Sequence, residues 1–321
     1  MQMNMVASIN NALKLCMQEN KDVVLLGEDI GRDGGVFRVT DGLLDAFGSD
    51  RVIDTPLAES GIIGTSIGMA LGGLRPVPEI QFAGFMLLGF AQLVNHAARF
   101  RGRTRSGMSV PMVVRTPASG GVRTLEHHSD SPEAFYSHIG GLVVVEPSNP
   151  YDAKGMLIKA LHMNDPVVFL EPTKLYRLFK QDVPETMYEV PIGKANVVRE
   201  GNDLSIITYG TMVPVVNNVV QKRNIDAEVI DLRTINPLDE KAILDTAKKT
   251  GKVLIVHEAE LSFGAGAEIA ARIAEKAMYD LKAPIIRVGS HSLPYPFPGY
   301  ENYYVPNELK VSKAIDKLLS S

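Results

Sequence analysis

A single cysteine, Cys16, is the only thiol in this 321-residue chain, so neither an intrachain disulfide nor a thiolate zinc cluster can form. So small a thiol content fits a reducing compartment. Positive charge is not in excess either: 33 Lys+Arg against 37 Asp+Glu leave −4, which argues against a general nucleic-acid binder. No apolar run reaches the ~18 residues a membrane span requires. The opening MQMNMVASINNALKLC has neither an Arg-rich transit pattern nor the ordered regions of a signal peptide. The expectation is therefore a cytoplasmic protein that binds neither nucleic acid nor membrane. No GxGxxG follows the first strand-like run, so a nicotinamide Rossmann site has little support. No GxxxxGK[ST] occurs, which excludes a P-loop.

What is present reads as an α/β protein. DVVLLGED, RVIDT, PVPEIQF, PMVVRTP, GLVVVEPS and PVVFLEP are short runs with continuous apolar centres, separated by helical stretches. That pattern predicts buried parallel strands in a doubly wound sheet. LSIITYG, AEVIDL, KVLIVHE and PIIRVG form a second series. Between them lies the polar, proline-bearing segment Gln181–Asp203, without helical period, which places a boundary near Val190 and predicts domains 1–189 and 190–321. Val6, Ile9, Leu13 and Met17 mark one side of an amphipathic first helix.

Open α/β sheets bind ligands beyond the carboxyl ends of their strands. Glu28 and Asp29, Glu59, and Gln81 with Phe85 all follow such ends. Their convergence would make an aromatic-lined pocket holding carboxylates and an amide. An acid buried among apolar groups has a raised pKa and exchanges its proton nearer neutrality. By themselves, Glu59 equally suits a helix start and Phe85 a core position. Gly61, Gly64, Gly68 and Gly72 recur on one helix face behind Glu59, at about 1 kcal/mol each against alanine, which predicts a close approach there. The loop GGVRTLEHHSDSPEAF carries Glu126, His127 and His128. Adjacent histidines do not have the spacing of a helical zinc site, so an acid/base and a surface histidine both remain open. In SPEAF, Ser131 reads as helix cap and Pro132 as the first helical residue. RFRGRTRSG could grip phosphate or be a solvated helix end. The Pro- and aromatic-rich SHSLPYPFPGYENYYVPNELK reads as a connection wrapping the second domain or as a partner surface.

Taken together in order and spacing, TPLAESG, EIQFAGF, EHHSDSPEAF, VVFLEPTKLYR, VHEAE and the YPF…YYVPN tail resemble the beta subunit of thiamine-diphosphate-dependent 2-oxo acid dehydrogenases, over nearly the whole chain. EIQFA and FLEPTKLYR look more like the branched-chain members than the pyruvate members. The resemblance implies an N-terminal pyrimidine-binding fold and a C-terminal transketolase-like domain. It implies that Glu59 hydrogen-bonds a ring nitrogen of the thiamine pyrimidine, with Glu28, Leu57, Ala58, Gln81 and Phe85 around the ring, and that His128 is the catalytic acid/base. One departure stands out: the family's diphosphate and magnesium are held by GDG with an asparagine some 25–30 residues later, and this chain has no such pair. An alpha subunit would then hold Mg2+ and diphosphate, in an α2β2 heterotetramer, and a lipoyl-bearing acyltransferase core would dock on the C-terminal domain. The resemblance also implies a structural potassium ion on backbone carbonyls near Val110, Met112, Val113, Ala160, Met163 and Asp165. The alternatives are a pyruvate dehydrogenase beta subunit, half of a transketolase-like synthase, and a non-catalytic assembly subunit.

Overall fold

The structure is a computed structural model that describes residues 1–321. All six apolar runs of the first series form strands: β1 (Val23–Gly27), β2 (Val52–Asp54), β3 (Arg75–Glu79), β4 (Val113–Ala118), β5 (Val143–Val145) and β6 (Val167–Pro172). They pair in parallel in the order β2-β1-β3-β4-β6-β5. Their continuous apolar character follows from burial on both faces: every residue of β1, β4 and β6 is buried. The order reverses at β1, which lies between β2 and β3, so the crevice beyond these three strand ends is a topological switch point.

The second series begins with β7 (Asn196–Arg199), followed by β8 (Leu204–Thr208), β9 (Ala227–Asp231), β10 (Thr234–Asn236), β11 (Val253–Glu260) and β12 (Ile286–Ser290). The second sheet runs β12-β11-β8-β9-β7, parallel except for β7. Two strands depart from the sequence expectation. β7 lies inside the segment Gln181–Asp203, in which no strand is predicted, because its residues are largely exposed and give no apolar pattern. β10 crosses back to pair antiparallel with β5 at the edge of the first sheet. One apolar layer is continuous from Ile63 and Met86 through Tyr136 to Ile207 and Ile255, so the halves pack on each other directly. No helix is long and apolar enough to cross a membrane.

The first helix, Met5–Glu19, buries Val6, Ile9, Leu13 and Met17 as its periodicity predicts, and Asn4 caps it by accepting the Ala7 N–H at 2.9 Å. It packs on the helix Pro150–His162. At the end of that helix His162 bridges Glu189 (2.7 Å) and Glu19 (3.0 Å). Burial pulls its pKa down, but the hydrogen bonds and charges of the two carboxylates outweigh this and hold it above the usual value. A histidine raised by folding stabilises fully below its unfolded value of about 6.5 and ceases to as pH rises through the folded value. With the side chain more than a third exposed, solvent screening limits the effect to about 1 kcal/mol or less. The melting-temperature difference between the wild type and His162→Ala should therefore shrink from pH 5.5 to pH 8.5. A difference independent of pH would contradict this.

Candidate active site at the switch point

Glu59 opens the helix Glu59–Leu71 directly after β2, where a carboxylate complements the helix dipole. It is 5% exposed, and its carboxylate makes no hydrogen bond or ion pair within the chain. Buried carboxylates are ordinarily paired, so this one is aimed at something the chain does not supply. Glu28, buried at the end of β1, has its pKa raised by burial first, then by the charges of Glu59 and Asp29. Gln81 follows β3 and donates to Asp29 at 3.2 Å.

Phe85 begins a short 3-10 helix, Phe85–Gly89, that packs on the Glu59 helix. The approach is close: a Cβ on Gly89 would lie 2.8 Å from Ile63 and 3.3 Å from the Glu59 carbonyl. On its other side Phe85 meets the histidine loop, with His128 at 5.2 Å and nearly perpendicular, while Phe82 lies 4.3 Å from the same imidazole. Gly84 makes this contact feasible, since a Cβ there would lie 2.5 Å from the His127 carbonyl oxygen and also strike the Asp130 carboxylate. The motifs EIQFAGF and EHHSDSPEAF are therefore joined in space by a residue without a side chain. His128 Nδ1 is buried and has no partner. His127 is exposed, with Nε2 3.7 Å from Glu126.

A cavity of about 640 Å³ opens on the histidine loop, lined by Phe85, Glu126, His127, His128, Tyr295 and Phe297; Glu28, Glu59 and Gln81 do not line it. Another, of about 400 Å³ beside Ile235 and Phe263, shares none of these residues. His128 Nδ1 without a partner beside Phe85, and Glu59 without a partner at the head of the helix that packs on the Phe85 segment, are polar groups suited to a pyrimidine edge and a reacting carbonyl compound.

Residues 1–178 match the family described as transketolase, pyrimidine binding domain, and residues 193–311 match the transketolase C-terminal domain. A relative from Acholeplasma laidlawii named "Pyruvate dehydrogenase E1 component subunit beta" is 47% identical, covering 98% of this chain and 97% of its own. Relatives of the same name from Staphylococcus epidermidis and Staphylococcus aureus are 48% identical, over 96% of this chain and 95% of theirs.

The chain belongs to the beta-subunit family of the 2-oxo acid dehydrogenase decarboxylating components.

It is an enzyme subunit; its pyrimidine-binding domain implies thiamine diphosphate as cofactor, and its place among the beta subunits implies an alpha subunit as partner. The fold agrees with a solved structure titled "Split gene transketolase, inactive beta4 tetramer", with a TM-score of 0.79 over 99% of this chain and 98% of that one; at 20% identity this speaks for the fold alone. The relatives named above carry the pyruvate name, which favours the pyruvate alternative over the branched-chain reading of EIQFA and FLEPTKLYR.

Leu57 is 76% exposed and Ala58 is exposed, so the pocket wall on that side is not closed within the chain. The glycine row lies on the predicted helix, yet nothing in the chain approaches it closely. A Cβ on Gly68 meets no atom within 4 Å, and at Gly61 and Gly64 only ordinary contacts arise, at 3.5 and 3.7 Å. Ser131 is not the helix cap: the helix starts at Glu133 after Pro132, and Glu133 turns inward to accept from Tyr209 at 2.7 Å. In the basic stretch, Arg101 is paired with Asp165 at 2.5 Å. The segments proposed for potassium adjoin, since Val167 N–H donates to the Met112 carbonyl at 2.9 Å. The Met163 carbonyl is occupied by Arg75, which donates to it at 2.9 Å.

Sequence reasoning missed how the C-terminal tail enters the site. Tyr295 and Glu301 reach back to the Gly120–Arg123 backbone, while Phe297, Tyr300 and Tyr303 remain exposed. No local pattern announces a contact about 180 residues away in the chain.

Proposed function

We propose that this chain, with an alpha subunit, carries out the oxidative decarboxylation of pyruvate and passes the acyl group to a lipoyl-bearing acyltransferase core. The observation that carries the reading is His128 Nδ1, buried without a partner against Phe82 and Phe85, with Glu59, which has no partner in the chain, heading the helix on which the Phe85 segment packs. In this reading Glu59 holds the pyrimidine ring nitrogen, Phe85 packs on the ring, and Glu28, Leu57, Ala58 and Gln81 complete that end. When bound, thiamine diphosphate supplies a thiazolium that accepts the electrons freed as carbon dioxide leaves. His128 holds and moves protons at the reacting carbonyl, and Phe82 and Phe85 keep water from its imidazole.

The residues present fit the pyrimidine end and not the diphosphate end, which supports placing Mg2+ and diphosphate on the alpha subunit in an α2β2 assembly. The open glycine face suits close packing of a helix from another subunit. The exposed aromatics of the tail support docking of the acyltransferase core on the C-terminal domain, in a chain divided at 189/190 and working in the cytoplasm. A potassium ion on the carbonyls of Val110, Met112, Val113 and Ala160 beside Asp165 belongs to the same proposal, with Arg75 competing for Met163.

Reconstitution with the alpha subunit and a panel of 2-oxo acids and ketose phosphates tests the reading. Pyruvate should be preferred over branched-chain acids by about tenfold or more in kcat/KM, since each methylene is worth ~1–3 kcal/mol in an apolar pocket. A preference for branched-chain acids would restore that assignment, and turnover of ketose phosphates alone would replace both.

A further inference from the structure

The imidazole of His128 makes no hydrogen bond through its buried Nδ1 and packs against the rings of Phe82 and Phe85, so no polar partner fixes it and its position is inherited from the backbone of its loop. That loop is unusual at its root. Ser119, Gly121 and Arg123 all have left-handed backbones, at φ 68°, 86° and 61°. Two of them are not glycine, and such residues leave this region unless something holds them. Ser119 is held within the loop, donating to the Asp130 carbonyl at 2.9 Å, but the rest is held from the other half of the chain. The Gly120 N–H donates to Glu258 at 2.5 Å, and the N–H groups of Gly121 and Arg123 donate to one oxygen of Glu301 at 2.9 and 3.3 Å. Both carboxylates are buried, 7% and 4% exposed, and each is held in turn: Glu258 by the Thr211 hydroxyl, Glu301 by the Tyr295 hydroxyl at 2.6 Å. There is no slack, because a Cβ on Gly120 would strike the Tyr295 ring and hydroxyl. Further along, Thr124 ties the loop to itself by donating to the His128 carbonyl at 3.3 Å.

We propose that Glu301, with Glu258 beside it, is a positioning residue that sets His128 through the loop backbone, so that the C-terminal domain controls the geometry of the acid/base. The inference rests on the reading of His128 given above. Hydrogen bonds to a carboxylate are stronger than neutral ones, and three donors converge on Glu301, so its loss should free the whole loop root.

The test uses the full complex with its alpha subunit and the variants Glu301→Ala, Glu301→Gln and Tyr295→Phe. In Glu301→Ala, amide hydrogen exchange of peptides spanning 119–129 should accelerate by about tenfold or more, with other regions unchanged. Over the same comparison kcat should fall by about tenfold while KM and the half-saturating cofactor concentration stay within about twofold. Glu301→Gln keeps an acceptor oxygen and should recover much of both. Wild-type exchange in the loop of Glu301→Ala, or an equal loss of kcat in the Gln and Ala variants, would overturn the proposal. Faster exchange with kcat intact would instead overturn the reading of His128, and the positioning role with it. Should Glu301→Ala fail to fold, Tyr295→Phe, which keeps both carboxylates, should show the same pattern at about threefold; wild-type exchange there would count against the proposal.

Discussion

Glu59→Ala in the reconstituted α/β enzyme is expected to lower kcat for 2-oxo acid decarboxylation by about 10³-fold, with melting temperature and assembly unchanged. The scale follows from removing a positioned acid/base partner, which contributes ~10²–10⁴. The fold should survive because the carboxylate makes no hydrogen bond or ion pair in the chain, so its removal breaks no network. Glu28 should then titrate closer to its ordinary range, because Glu59 is one of the charges that raise it, after burial. Undiminished turnover in the alanine variant, measured by reduction of an artificial electron acceptor, would remove Glu59 from the chemistry.

The second large effect is on stability. Arg115 sits in the middle of β4, 1% exposed, between Glu79 of β3 and Glu171 of β6, each at 2.7 Å. Tyr176 donates to Glu171 at 2.6 Å. Arg115→Met keeps the volume but leaves two buried carboxylates without a counter-charge, which costs about 3–5 kcal/mol and should lower the melting temperature by roughly 5–10 °C. Burial already raises Glu171 despite the guanidinium beside it. A carboxyl raised by folding stabilises below its unfolded value of about 4.3 and loses that as pH rises through the folded value. The variant's deficit should therefore be larger at pH 8 than at pH 5. The effect would reach the site as well, because Glu79 ends the strand that leads into Ile80 and Gln81, and a Cβ on Gly27 would lie 2.6 Å from its carbonyl. A melting temperature unchanged across that range would contradict the account of this knot.

The two series of parallel strands were legible because strands buried on both faces are apolar throughout, a signal that survives without tertiary knowledge. Glu28, Glu59 and Gln81 are predicted together because open α/β sheets bind ligands beyond their strand ends, and they do follow the ends of β1, β2 and β3, though the reversal at β1 emerges only from the pairing. What stayed hidden shares one cause: the determinant is a contact distant in sequence. β7 and β10 owe their state to edges they complete. The helix predicted to begin at Pro132 with Ser131 as cap starts instead at Glu133, whose side chain accepts from Tyr209 of the other half. Gly84 reads as one glycine among 28 until the His127 carbonyl is seen against it. The row from Gly61 to Gly72 was visible, but the close approach it predicts is not made within this chain.

The central claim is that this chain holds only the pyrimidine half of a shared site. Titration of thiamine diphosphate with Mg2+ into the chain alone, into the alpha subunit alone and into their mixture, followed by calorimetry, tests it most directly. The account predicts saturable, Mg2+-dependent binding in the mixture that is weakened at least about tenfold, the worth of ~1.4 kcal/mol, with either subunit alone. Equally tight Mg2+-dependent binding to this chain by itself would contradict it.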